Sequence, residues 1–156
     1  MKITFGKHTG KTVEWALLRA PEYVAWALSQ SSPGGSLGAF VWEARRLISI
    51  FDQKPITRTC SGRKNDAPCG AMATRPTVYL NNLSCQWWCG DCDPYQQGAS
   101  PGKIQSPRTY EDALRHVKLF CTAEVDGYQW LIKELAEARG FPERATPKAL
   151  EAFFKI

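Results

Sequence analysis

Leu37, Phe40, Val41, Ala44, Leu47, Ile48 and Phe51 recur at the i, i+3, i+4, i+7 spacing of a single helix face, and they predict the clearest helix of the chain, beginning after Ser36. Glu43, Arg45, Arg46 and Asp52 fall off that stripe and are expected on its polar side. Upstream, residues 2–5 suggest a short strand ending at Gly6. Thr12 is placed to cap a short helix through Leu18, and Pro21 suits the first turn of another carrying Tyr23, Val24, Ala27 and Leu28. Tyr23 and Trp26 are three apart on that helix and are expected in the core. Downstream, Thr109 and Asp112 form a capping box ahead of the apolar face of Tyr110, Ala113, Leu114, Val117 and Cys121. Asp126-Gly127 is expected to interrupt that helix. A second then carries Tyr128, Leu131, Ile132, Leu135 and Ala138 and stops at Gly140 and Pro142. Thr146-Pro147 opens a last short helix.

The middle of the chain behaves differently. Residues 55–98 show no helical period and are rich in Thr, Pro, Gly and Asn. Residues 77–80 predict a strand, Asn81-Asn82 a turn and residues 84–88 a returning strand. Residues 98–107 look like a flexible connection. The expected fold class is therefore α+β, mostly helical, with a small zinc-ribbon-like hairpin between helical segments: 1–54, 55–98 and 99–156.

Composition adds compartment and charge. Of 156 residues, 44% are hydrophobic and 22% charged, which is ordinary for a folded chain and unlike a disordered one. No signal peptide or run of membrane-spanning length is present, so a soluble cytoplasmic protein is expected, with no membrane partner. In a reducing compartment six cysteines point to metal binding rather than a disulfide framework. The formal charge is +5. Four thiolates around one Zn²⁺ would lower it to about +3. Such a mild excess permits a nucleic-acid partner without requiring one.

Cys89-Gly90-Asp91-Cys92 is a C-x₂-C pair that can grip one zinc ion from a tight turn, with Gly90 relieving the turn backbone. Cys60 and Cys69 are the natural second pair, although the spacing between them is wide for a knuckle. Cys85 shares a strand face with Trp87 and Cys89 and competes with Cys69 as the fourth ligand; otherwise it is a small buried hydrophobe. Cys121 lies on a helical apolar stripe and is expected in the core. His8 and His116 have no partner at metal spacing. Four sulfurs fill a tetrahedron, so the expected zinc is structural: a catalytic zinc keeps an open position, and the deaminase signature H-x-E with P-C-x-x-C is missing.

The run Phe5-Gly6-Lys7-His8-Thr9-Gly10-Lys11-Thr12 approaches a phosphate-binding loop, but only three residues separate its glycines where four are needed. No nucleotide hydrolysis is expected from it. The same run, followed by Pro21, Tyr23 and Trp26, resembles the small C-terminal module of exodeoxyribonuclease X-like proteins, with its F-G-K-x-x-G-K, spacer and P-x-Y-x-x-W. The resemblance covers residues 3–28. It implies an accessory role in DNA metabolism, of a bacterial or phage kind, with Phe5, Gly6, Lys7, Gly10, Lys11, Tyr23 and Trp26 at the motif positions. In that nuclease a catalytic domain precedes the module. Here the module starts at Met1, so no nuclease activity is expected, and no set of spaced carboxylates suggests two-metal chemistry.

Lys7 and Lys11 can offer cations to a phosphate backbone, as can Arg63 and Lys64 within a locally basic stretch. Trp87 and Trp88 are adjacent on a strand and must point to opposite faces, so one is a candidate for stacking on an unpaired base. The expected function is a non-enzymatic, zinc-containing nucleic-acid-binding accessory protein acting on DNA. The alternative is an adaptor or inhibitor, such as a phage regulator of host machinery, that holds a protein partner through exposed aromatics.

Overall fold

A computed structural model describes residues 1–80, 84–94 and 103–155. Among these, six helices and five short strands form an α+β fold that is mostly helical. The helices are α1 (Val13–Arg19), α2 (Pro21–Leu28), α3 (Gly35–Gln53), α4 (Tyr110–Phe120), α5 (Glu124–Ala138) and α6 (Pro147–Phe153). The strands are β1 (Arg63–Lys64), β2 (Ala67–Pro68), β3 (Arg75–Tyr79), β4 (Cys85–Trp88) and β5 (Ile104–Gln105). β1 and β2 make one antiparallel hairpin, and β4-β3-β5 a three-stranded antiparallel sheet. No helix among the described residues is long and apolar enough to cross a membrane.

Local signals set the helix starts. The Thr12 hydroxyl accepts from Trp15 N at 3.1 Å, and that of Thr146 from Ala149 N at 3.1 Å. At Thr109 the full capping box is present, with Asp112 returning the bond to the Thr109 amide at 3.2 Å. The α3 stripe is buried from Phe40 to Phe51 as its spacing predicts, with Leu37 half-buried, and that of α5 is buried as well. α5 packs on α1, α2 and α4, so it lies at the centre of the helical layer. Tyr110 pins three elements together: its hydroxyl donates to Leu17 O at 2.7 Å, and its amide donates to Asp52 Oδ1 at 2.8 Å.

One apolar cluster draws Leu17, Phe51 and Leu131 from the helices together with Val78 and Trp87 from the sheet. The cysteine segment is fixed to the helical layer where Thr57 donates to Ala138 O, through its amide at 2.7 Å and its hydroxyl at 2.9 Å.

Several expectations need correction. Residues 2–5 form no strand, only a single bridge from Lys2 to Thr12. Asp126-Gly127 breaks nothing: α4 ends at Phe120, and both residues lie in the first turn of α5. Gly127 serves contact instead, because a Cβ there would meet Val117 Cγ1 at 3.0 Å and Cys121 Sγ at 3.2 Å. Glu43 is buried despite its place off the stripe, held by Arg46 at 2.7 and 2.9 Å. Trp26 is 47% exposed, resting on Tyr23 rather than entering the core. Ile104 and Gln105, expected in a flexible connection, add a third strand against Val78 and Tyr79. The expected turn at Asn81-Asn82 lies outside the described residues.

Candidate metal centre

The wide spacing of Cys60 and Cys69 has a simple structural cause. Arg58 and Ala73, Thr59 and Met72, Cys60 and Ala71, Gly62 and Cys69, and Arg63 and Pro68 all oppose one another in a single antiparallel register. The two strands turn through Asn65 and Asp66, at φ 52° and 62°. Positive φ at both central residues is what a tight two-residue hairpin turn requires, and Asn and Asp tolerate it. Cys69 therefore returns opposite Gly62, two residues beyond Cys60 on the same face. The second pair rides on the end of β4. Cys89 follows Trp88, and the chain turns through Gly90 and Asp91 to Cys92. Ser61 N donates to Trp87 O at 2.8 Å, which holds the two knuckles together.

The Sγ atoms of Cys60, Cys69, Cys89 and Cys92 all lie within 4.8 Å of one another, with Cys69 and Cys89 at 3.9 Å. Four sulfurs bound to one zinc at about 2.3 Å stand about 3.8 Å apart in a regular tetrahedron. The cluster thus has the size and the donor set to chelate a metal ion, and the all-sulfur set favours zinc over magnesium or calcium. Cys85 is not among the four. It pairs with Val78 across the sheet, packs against the core, and burial pushes its thiol up to about 12, so it stays a neutral thiol. The choice between Cys69 and Cys85 goes to Cys69. Cys121, the residue that caps the end of α4, is also outside the cluster.

Electrostatics inside the cluster favour a cation. The backbone N–H of Cys92, with help from that of Asp91, lowers the Cys89 thiol to about 7. Burial and then the neighbouring sulfurs push Cys92 up to about 12. The Cys89 thiolate therefore forms readily, and Cys92 resists ionisation in the absence of a metal. Gly62 N donates to Cys60 Sγ at 3.3 Å, the kind of amide-to-sulfur bond that supports a thiolate ligand.

Surrounding residues complete the centre. Arg75 Nη1 lies 3.3 Å from Asp93 Oδ2, and Asp93 is fully buried directly after Cys92. Lys64 Nζ donates to Asp91 Oδ2 at 3.3 Å, linking the first knuckle to the second across an exposed surface. Its ammonium is held charged by Asp91 first, and also by Cys69 and Cys92.

The packing role of Gly62 was not visible in the sequence. Gly62 has no room for a side chain, since a Cβ would fall 2.6 Å from both Cβ and Sγ of Cys92. Gly90 was expected to relieve the knuckle, but its φ is not positive and a Cβ there would meet only Arg75 Nη2 at 3.4 Å. The left-handed residue is Gly70, at φ 72°, beside Cys69. The Asn65-Asp66 pair halfway between Cys60 and Cys69 was the available sign of the hairpin. Nothing in the sequence pattern joins Arg75 to Asp93.

The remaining candidates are dispersed. Lys7 and Lys11 are exposed on the loop before α1, with Lys11 Nζ 5.2 Å over the Trp15 ring. Arg63 and Lys64 are exposed on β1 beside the metal cluster, and Arg63 donates to Asp66 O at 2.6 Å. Trp87 is 6% exposed within the core, so its expected stacking role is withdrawn: its face is already covered. Trp88 points the other way. It is half-buried, and its indole N–H donates to Thr77 Oγ1 at 2.7 Å.

Fold and site together define a mostly helical α+β protein carrying a cluster of four cysteines able to chelate a metal ion. No known protein family, curated protein or solved structure matches the chain.

Proposed function

We propose that the protein is a non-enzymatic nucleic-acid-binding accessory protein, its cysteine hairpin held in shape by one structural zinc ion. The observation that carries this reading is the placement of Arg63 and Lys64, both exposed, on the first strand of a hairpin whose base is the four-sulfur cluster. The metal fixes the backbone of a segment too short to hold itself, and that segment presents cations to solvent. Exposed ion pairs such as Lys64 with Asp91 are easily exchanged for a phosphate contact. Lys7 and Lys11 supply a second exposed basic site, and Trp88 keeps part of its ring accessible for stacking. The likeness of residues 3–28 to exodeoxyribonuclease X-like C-terminal modules points to DNA as the nucleic acid, in a bacterial or phage cytoplasm. A structural role for the zinc fits the full set of four sulfurs, which leaves no position for a substrate.

Elemental analysis of protein purified without chelator is expected to give one zinc per chain. A salt-dependent titration with single- and double-stranded DNA tests the partner. Removing Lys7, Lys11, Arg63 or Lys64 should each lower the magnitude of the salt slope by about one. Absence of binding even at low salt overturns the nucleic-acid reading.

A second reading has its own observation. Trp42 on α3 is 69% exposed and Trp26 on α2 is 47% exposed. Exposed tryptophans are common anchors of protein interfaces. Binding to a protein partner that is lost on Trp42→Ala, with no salt-dependent DNA binding, selects this alternative.

A further inference from the structure

Where α2, α4 and the start of α5 meet lies an open groove of about 520 Å³, with Arg45 of α3 also lining it. Leu28, Leu114 and Tyr128 give it apolar walls. Trp26 and Val125 line it as well, and both are exposed. Two further large apolar side chains stand exposed beside it. Leu119 follows Lys118 on α4, and Trp42 lies one turn before Arg45 on α3. Single exposed apolar residues are normal on a surface, whereas several around one groove mark a contact face.

The charges say what that face contacts. The whole chain has a formal charge of +5, but the groove is neutral. Glu22, Glu111 and Glu124 balance Arg45, Arg115 and Lys118. A nucleic-acid backbone, or a peptide strongly charged in either sense, would meet like charges here. The groove suits a partner carrying the same mixture.

The order of the charges narrows the partner to a second copy. Glu111, Arg115 and Lys118 are exposed and follow one stripe of α4, at i, i+4 and i+7. The stripe is acidic in the first turn of the helix and basic in the last. Such a stripe is complementary to itself when reversed. A two-fold axis midway along it sets Glu111 of each copy against Lys118 of the other, about 5 Å to either side of the axis along the helix. Arg115 comes nearest the axis, and Asp112, 3.3 Å away in its own chain, offsets that charge. The same reversal carries Leu119 of one copy toward the Glu111 end of the other. Arg45 stands there, 3.1 Å from Glu111, with Trp42 one turn further along α3. We propose that the α4 stripe and the groove beside it form an isologous interface between two copies of this chain, with their α4 helices antiparallel. The inference stands apart from any contact of the metal hairpin with nucleic acid.

Sedimentation velocity of the full, zinc-loaded chain over about 1–100 μM reads the association directly. A concentration-dependent dimer is expected, and a monomer throughout overturns the proposal. Charge exchange tests the arrangement. Glu111→Lys sets lysine against lysine between identical copies, and Lys118→Glu sets glutamate against glutamate. Each variant alone should dimerise at least tenfold more weakly than the parent. Mixed in equal amounts, the two should dimerise with each other, because both contacts then join unlike charges. Variants that dimerise as well as the parent, or a mixture no better than its parts, overturn the proposal. Should Glu111→Lys not fold by circular dichroism, Lys118→Glu alone still decides through its own loss of dimer. Substituting Lys7, Lys11, Arg63 and Lys64, which tests nucleic-acid contact, should leave the dimer unchanged. Loss of the dimer in that variant would place the interface elsewhere and overturn the proposal.

Discussion

Gly62→Ala is the sharpest test of the metal centre, because a single methyl group meets the ligand set directly. The added Cβ would stand 2.6 Å from Cβ and Sγ of Cys92 and 3.2 Å from Sγ of Cys60. Ordinary carbon–carbon contact begins near about 3.5 Å, so the two segments must separate by roughly 1 Å. Gly62 cannot yield easily. Its carbonyl accepts from Cys69 N at 2.9 Å, and its amide donates to Cys60 Sγ at 3.3 Å. Cys92 must therefore move, whereas metal–sulfur distances tolerate only about 0.2 Å. A structural zinc is worth roughly 10–16 kcal/mol at neutral pH, shared by four sulfurs, so losing one sulfur weakens binding on the order of a hundredfold. Competition for zinc against a chromophoric chelator measures the change. Gly90→Ala is the control, with only a 3.4 Å contact to Arg75 Nη2, and should keep parental affinity. If Gly62→Ala holds zinc within threefold of the parent, Gly62 does not pack against Cys92 in the metal-bound protein.

The paired tryptophans should separate cleanly: Trp87→Ala loses about 3–5 kcal/mol of stability in denaturant unfolding, as a buried aromatic does. Trp88→Ala keeps the fold and loses about 1–3 kcal/mol of single-strand affinity if it stacks on bases, and an unchanged affinity removes it from the interface. Arg75→Ala removes the guanidinium beside the fully buried Asp93 and should cost about 1–3 kcal/mol in urea unfolding, as loss of a hydrogen bond to a charged group does; a loss within error of zero would show that the pair contributes nothing. Arg46 holds the Glu43 carboxyl below its ordinary pKa, first through its hydrogen bonds. The stability this supplies is present above the unfolded value of 4.5 and is lost as pH falls through the folded value. Glu43→Gln should accordingly flatten the fall in Tm between about pH 5 and pH 3 relative to the parent, with zinc release common to both proteins; parallel curves would contradict it.

What could be read from the sequence was local. The α3 stripe and the caps at Thr12, Thr109 and Thr146 depend on neighbours within one or two turns, and each stands as its spacing predicts. What could not be read depends on pairs far apart in the chain. Ile104 and Gln105 have too short a pattern to declare a strand, and only the free edge of β3 makes them one. Gly127 carries the signature of a breaker, yet its lack of a side chain is used against Val117 on α4 and Cys121 at its end. Glu43 is polar by type and buried in fact, because Arg46 one turn on neutralises it. The cysteines show both sides. Cys89 and Cys92 are a local knuckle, legible at once. Cys60 and Cys69 become a knuckle only through a hairpin whose turn residues, Asn65 and Asp66, lack the glycine usual in such turns.

The glycine- and lysine-rich run near the N-terminus shows how packing and function divide a motif. Gly6 and Gly10 adopt φ 70° and 89°, conformations that favour glycine. The loop between them is closed by its own backbone, with Ile3 N donating to Lys11 O at 2.8 Å, Gly10 N to Ile3 O at 2.8 Å and Lys11 N to His8 O at 3.1 Å. Those amides are committed, so they form no phosphate cradle. A Cβ at Gly6 would lie 3.0 Å from the Tyr23 hydroxyl, and Tyr23 in turn contacts Phe5, His8, Trp26 and Phe40. Phe5, Gly6, Gly10, Tyr23 and Trp26 are thus accounted for by one loop seated on one helix. Lys7 and Lys11 remain. Both are exposed, and neither is needed to close the loop through its side chain. The positions that packing explains need no ligand; of the two cations, Lys11 rests its ammonium 5.2 Å over the Trp15 ring, and Lys7 is exposed on the loop.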